Sequence, residues 1–222
     1  MSKTIFQKWK RPVLLAGFCC MAVSTLQGCV GLIVGSAVVG TFAATDRRTL
    51  GAQTEDKAIA IKGESRLNRA FGDAAHINVN TFNRRVLLTG EVADEKTREV
   101  AEREVRAIEN VQVVSNEIQI APLANFSARS NDLLLTTKVR ASFVDTKDLY
   151  GRAFKIVSEA GVVYLLGRVT EREGQLAGEV AAGVSGVRKV VKIFDYITEE
   201  ELKGFLSTPI KNESADELKD AK

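Results

Sequence analysis

Apolar and polar positions follow the same order twice along the middle of the chain. Across Ile77 to Val92, "INVNTFNRRVLLTGEV", Ile77 and Val79 alternate with polar residues. Val86, Leu88 and Val92 then alternate, after a turn at Asn83-Arg84. A period of two marks half-buried strands. The stretch Phe154 to Val169, "FKIVSEAGVVYLLGRV", repeats this pattern 77 residues later, with Ala160-Gly161 as its turn. Val86 matches Val163, Leu88 matches Leu165, Gly90 matches Gly167 and Val92 matches Val169. One residue then drops out, and from Ala101 onward the offset is 76, pairing Val105 with Ala181, Ile108 with Val184 and Val114 with Val190. A register held over two whole units is an internal duplication.

Each unit opens with a helix, over about Lys57 to Phe71 and about Asp132 to Val144, with Asn131 or Asp132 as the N-cap of the second. In that helix Leu135, Val139 and Phe143 fall at i, i+4 and i+8 on one apolar face. The hairpin follows, then a second helix over about Asp94 to Ile108 and Glu171 to Val184. A last strand over about Val111 to Ile120 and Val187 to Tyr196 closes each unit. The order αββαβ predicts an α+β fold of two units, each a three-stranded mixed sheet packed against two helices. Gly90 and Gly167 stand where an apolar side chain would continue the strand face, so another segment is expected close to the backbone there. Each unit is small for independent folding, which favours contact between the two.

Ahead of the repeat lies a different pattern. Lys3, Lys8, Lys10 and Arg11 precede an apolar run from Val13 to about Leu26, the layout of an export signal. Leu26-Gln27-Gly28-Cys29 resembles a lipobox, in which a cysteine thiol is acylated and the chain is cut before it. The resemblance implies a lipid at Cys29 and, with Val30 rather than aspartate next, sorting to the outer membrane. An uncleaved signal anchor with Cys29 as an ordinary apolar residue is the alternative. In the lipobox reading Cys19 and Cys20 leave with the signal. The glycine-, alanine- and valine-rich stretch Val30 to Ala44 is fifteen residues long, short for a membrane span. It reads as a surface tether or, through Gly31, Gly35 and Gly40, as a packing face. Thr45 to Asp56 is polar and reads as linker.

Charge sharpens this picture. The full chain carries 31 basic and 28 acidic residues, net +3. Removal of residues 1–28 takes four of the basic ones, leaving 27 against 28. Residues 129–198 then hold 11 basic and 8 acidic side chains, and the tail 199–222 holds 4 and 7. That excess of three is far below a nucleic-acid footprint but suits an anionic bilayer at close range. The only histidine, His76, has no cysteine or carboxylate at metal spacing in the sequence and reads as a loop histidine. Nucleophile-elbow and phosphate-loop motifs are lacking. Glu102, Glu104 and Glu109 sit among Arg98, Arg103 and Arg106 as a solvated helix face. Nothing here points to an enzyme or a cofactor.

The doubled αββαβ unit is similar to the BON-domain family. Its signatures here are "V-x-L-x-G-x-V" at Val86 to Val92 and Val163 to Val169, and a closing "G/N-V-x-x-V" at Asn110 to Val114 and Gly186 to Val190. The lipobox, the tether and "ATDRR" (Ala44 to Arg48) resemble the family's two-domain outer-membrane lipoproteins. The resemblance implies the following layout: signal peptide 1–28, lipidated cysteine and tether 29–54, first domain 55–121, linker 122–130, second domain 131–198 and a charged, flexible tail 199–222. In the tail, Leu202, Phe205 and Leu206 are apolar enough for one docking turn. The resemblance also implies a lipid-anchored protein of the outer membrane, facing the periplasm, that binds anionic phospholipid and supports membrane integrity. The family's contact is the first helix of the second domain, here Leu133, Leu134, Lys138, Val139, Arg140 and Val144. The family aromatic near the start of that helix is replaced by leucine, at Leu134. An alternative within the family is an adaptor for outer-membrane assembly or division proteins, and another is a periplasmic stress role. Leu133 and Leu134 have a second reading too, as packing against the first domain.

Overall fold

The computed structural model describes residues 46–207. The export signal, Cys29 and the Gly/Ala stretch lie outside them. Helix α1 spans Leu50–Phe71, strands β1 and β2 span His76–Phe82 and Arg85–Val92, helix α2 spans Glu95–Arg106, and β3 and β4 span Val113–Asn116 and Gln119–Ile120. The second unit follows as α3 (Phe126–Asp145), β5 (Phe154–Glu159), β6 (Val162–Val169), α4 (Glu171–Ala182) and β7 (Lys189–Tyr196), and α5 (Glu199–Ser207) ends the described chain. The fold is α+β, in two αββαβ units. In each sheet a central strand pairs antiparallel with its hairpin partner and parallel with the closing strand. The first sheet counts four strands because its closing strand is interrupted into β3 and β4, both on β2.

Within each unit the helices cover one sheet face. Val86, Leu88 and Val92 bury against Ile59, Leu67, Ala101 and Val105 in the first. Val163, Leu165 and Val169 bury against Leu135, Val139, Phe143, Ala177 and Ala181 in the second. The other face of each sheet is buried as well, because the two sheets pack against each other. Phe82, Leu87, Tyr164 and Leu166 form that shared layer, flanked by Val157, Val162, Val191 and Ile193. Polar links edge it, among them Asn78 Nδ2 to Glu159 Oε2 at 3.0 Å and Asn83 Nδ2 to Asp195 Oδ2 at 2.8 Å.

Both hairpins turn through two residues with positive φ, Asn83 (48°) and Arg84 (62°), and Ala160 (48°) and Gly161 (73°). That is the backbone of a type I′ turn, which asparagine and glycine tolerate and arginine and alanine resist. A buried aspartate on the preceding helix compensates. Asp56 accepts the N–H groups of Asn83 and Arg84 at 2.7 Å each, and Asp132 accepts those of Ala160 and Gly161 at 2.9 Å each. The two aspartates stand 76 residues apart, so the clamp is duplicated with the fold. Asp132 is therefore an interior helix residue and not an N-cap. Gly90, at φ 116°, lies where a Cβ would be driven into the His76 carbonyl. A Cβ on Gly167 would stand 2.8 Å from the Ala153 carbonyl oxygen.

Three segments read as linker or tail are ordered instead. Residues 47–54 are part of the fold: α1 begins at Leu50, capped by Thr49. Arg47 is buried and makes a two-pronged ion pair with Glu173 of the second unit, both contacts at 2.7 Å. Burial alone would raise the Glu173 carboxyl. The Arg47 hydrogen bonds and the Thr170 N–H outweigh it and hold that carboxyl below its ordinary value. The second opening helix starts at Phe126, capped by Asn125, so the expected linker 122–130 gives its last five residues to α3. After Tyr196 the chain forms α5, with Leu202 buried.

Two outcomes test this architecture. Asp132→Ala leaves two turn N–H groups without their acceptor and should destabilise the protein by about 3 kcal/mol in denaturant unfolding, at the level expected for hydrogen bonds to a charged group. Burial in the shared layer, helped by Glu117 and Glu159, pushes the Tyr164 phenol up to about 12 from 10.0. The folded state thus favours the neutral phenol. That contribution is intact below pH 10.0 and is lost as pH rises toward about 12. Melting curves over this range should fall more steeply for the wild type than for Tyr164→Phe.

Candidate functional site

Helix α3 carries a different chemistry on each of its faces. At about 100° per residue, Leu135, Val139 and Phe143 point to one side, and all three are buried. Phe126, Leu133, Thr137 and Val144 fall within about 40° of one another on the opposite side. Phe126 is 86% exposed, Leu133 69% and Val144 74%. This stripe runs for about 27 Å along the helix. Arg129 and Arg140, both exposed, flank it on one edge. Leu134, 59% exposed, and Lys138 lie on the other edge.

Beside Leu134 and Lys138 is a cleft of about 380 Å³, closed on its far side by Gly161, Gly186 and Arg188. Arg188 donates to the Ala160 carbonyl, so the hairpin turn positions its guanidinium beside the helix. Of the two acids of α3, Asp132 is turned inward onto that same turn. The outer surface of the helix therefore presents three cations against Asp145 at its end.

Of the residues expected at this surface, Leu133, Leu134, Lys138, Arg140 and Val144 are exposed together. Val139 is not among them: it is 0% exposed, because its place on the 3.6-residue period is the centre of the core face. Leu133 and Leu134 are open rather than packed on the first unit. The sequence reading missed Phe126. It took the residues before Asn131 as linker, whereas the Asn125 side chain accepts from the Ala128 N–H at 2.9 Å and starts the helix five residues earlier. An asparagine followed by "FSARS" was the available signal. Phe126 thus adds an exposed aromatic to this surface at the helix start.

His76 is the second departure. It is the first residue of β1, and its Nδ1 lies 3.0 Å from Glu91 Oε2. Glu91 also accepts the Ala124 N–H, at 3.2 Å. Glu159, from the second unit, comes up to the same point.

Comparison with known proteins agrees with this architecture. The family model described as "BON domain" matches residues 55–122 and 131–197. The chain belongs to the BON-domain family. It is 37% identical over 175 residues to the outer membrane lipoprotein DolP of Haemophilus influenzae, covering 78% of this chain and 90% of that one. It is 28% identical over 154 residues to a 21 kDa hemolysin of Actinobacillus pleuropneumoniae, covering 68% and 79%. A solved structure of CdsD, a type III secretion protein of Chlamydia trachomatis, covers 68% of this chain and 99% of that one at a TM-score of 0.28 and 10% identity. Among the described residues, no helix of this BON protein is long and apolar enough to cross a membrane.

The division of α3 into an inner and an outer face sets an expectation for stability. Leu133→Glu and Leu134→Glu should shift unfolding by no more than about 0.5 kcal/mol, as for surface sites. Phe143→Ala should cost about 3–5 kcal/mol. Thermal melts of the three variants measure the contrast.

Proposed function

We propose that this BON protein is an outer-membrane lipoprotein that binds anionic phospholipid through α3 of its second domain and so supports membrane integrity. The single observation that carries this reading is the exposed stripe of Phe126, Leu133 and Val144 flanked by Arg129, Arg140 and Lys138. Apolar side chains partition into the boundary between headgroups and acyl chains, aromatic ones with particular preference. Cations beside them are drawn to an anionic leaflet at about 1 kcal/mol each. A soluble monomer gains nothing from exposing such a row to water.

In this reading residues 1–28 are removed as a signal peptide and Cys29 carries the lipid. The relative named an outer membrane lipoprotein, aligned over 90% of its length, supports that address. Acyl chains contribute about 0.8 kcal/mol per buried methylene, so the anchor supplies most of the affinity. The helix then has only to orient the domain pair and select the headgroup. No catalytic step belongs to this function.

Vesicle co-sedimentation of residues 44–222, without the lipid, tests it. Binding should rise with phosphatidylglycerol content and fall with added salt, since the charge term is screened. Lys138→Gln or Arg140→Gln should weaken it about fivefold each, one cation's worth, and Phe126→Ala should weaken it further. Absence of binding to phosphatidylglycerol vesicles at low salt would defeat the reading in favour of a protein-docking role.

A further inference from the structure

Away from α3, His76, Glu91 and Glu159 converge where the two domains meet. His76 and Glu91 are cross-strand partners in the first sheet, and Glu159 ends β5 in the second. One ligand atom from each lies within 4.8 Å of the other two. Both glutamates are 5% exposed. Two carboxylates in so dry a place need compensating positive charge. Apart from His76, whose Nδ1 lies 3.0 Å from Glu91 Oε2, the groups facing them offer little. Asn78 Nδ2 donates to Glu159 at 3.0 Å and the Ala124 N–H to Glu91, and both are neutral. The further acid, Asp132, is already engaged with its turn.

We infer that His76, Glu91 and Glu159 form a site for one divalent first-row transition ion of the zinc class, bridging the two domains. The donor set, one imidazole nitrogen and two carboxylate oxygens, suits that class, and an imidazole argues against magnesium or calcium. Metal-to-ligand distances of about 2.0–2.2 Å require donor atoms about 3.4 Å apart in a tetrahedron. The observed separations, from 3.0 Å to within 4.8 Å, close to that by side-chain rotation of about 1 Å. His76 also lines a cleft of about 520 Å³, shared with Asp73 and Arg129, which gives an ion a way in and leaves room for water as a fourth ligand. Gly90 makes the arrangement possible, since only a glycine there lets the His76 backbone approach Glu91's strand. The bound ion would tie the first domain to the second and fix the angle between the sheets.

The test uses the purified full chain without a polyhistidine tag, titrated with Zn²⁺ in a calorimeter and with Co²⁺ in a spectrophotometer. The expected result is one ion per chain, with Co²⁺ d–d bands of nitrogen and oxygen ligation. A hundredfold excess of Zn²⁺ over Kd should raise Tm by about 5–10 °C. His76→Gln and Glu159→Gln should each weaken binding by about a hundredfold or more. Glu159→Gln keeps the volume and the acceptor for Asn78, so it should fold with its metal-free Tm unchanged or higher. Zn²⁺ binding that survives Glu159→Gln, or a thiolate charge-transfer band with Co²⁺, would overturn the site. So would the absence of any Zn²⁺-dependent rise in Tm. The vesicle result bears on α3 alone and leaves this one unaffected.

Discussion

The contact that organises this molecule is sheet against sheet. A three-stranded sheet with helices on one side has a second side to cover, and here each domain covers the other's. Strand β2 is buried at every position from Val86 to Val92, and β6 nearly so. Three positions of these strands that face away from the helices, Leu87, Tyr164 and Leu166, are therefore as apolar as the core ones. Burying a large side chain of this kind is worth about 1.5–3 kcal/mol. The four residues of the shared layer thus contribute on the scale of a whole domain's net stability. The outward faces left to the pair are helical, which is why α3 is free to present its stripe.

The polar groups at this contact follow from the same constraint. Where sheets meet at an edge rather than at the centre, side chains of opposite polarity close the gap. Asn83 and Arg85 reach Asp195 there, at 2.8 and 3.7 Å. Lys155, on the same face, has its ammonium pushed down, by burial first and by Arg48 second. The duplicated aspartate clamps are part of this economy. They let each hairpin turn within two residues, keeping the strands long enough to span the interface.

Much of this was legible in the sequence. The period of two in the hairpins, the period of 3.6 in Leu135, Val139 and Phe143, and the double offset of 77 and 76 residues specify two αββαβ units. They specify which helix face lies inward as well. The outward exposure of Leu133, Leu134 and Val144 follows from that same wheel. What local pattern did not carry was structure made by distant partners. Arg47 reads as a linker residue until Glu173 is placed beside it, and His76 reads as a loop residue until two strands bring it glutamates. Leu87 and Tyr164 lie on the strand face turned away from the helices, and only a second sheet gives their apolar character a reason. Phe126 was missed for a local cause: six mixed residues after Asn125 have no strong period, and the cap was the sole marker of the helix start.

The Arg47–Glu173 pair has a consequence for modularity. A residue that precedes the first domain is wired into the second, across 126 positions of sequence. The halves arose as copies, but they are no longer interchangeable parts. Splitting the chain between them, or exchanging one half with a cousin's, would strand an acid in the dry interior and strip a layer of leucine and tyrosine bare. Selection must therefore act on the pair as one heritable unit.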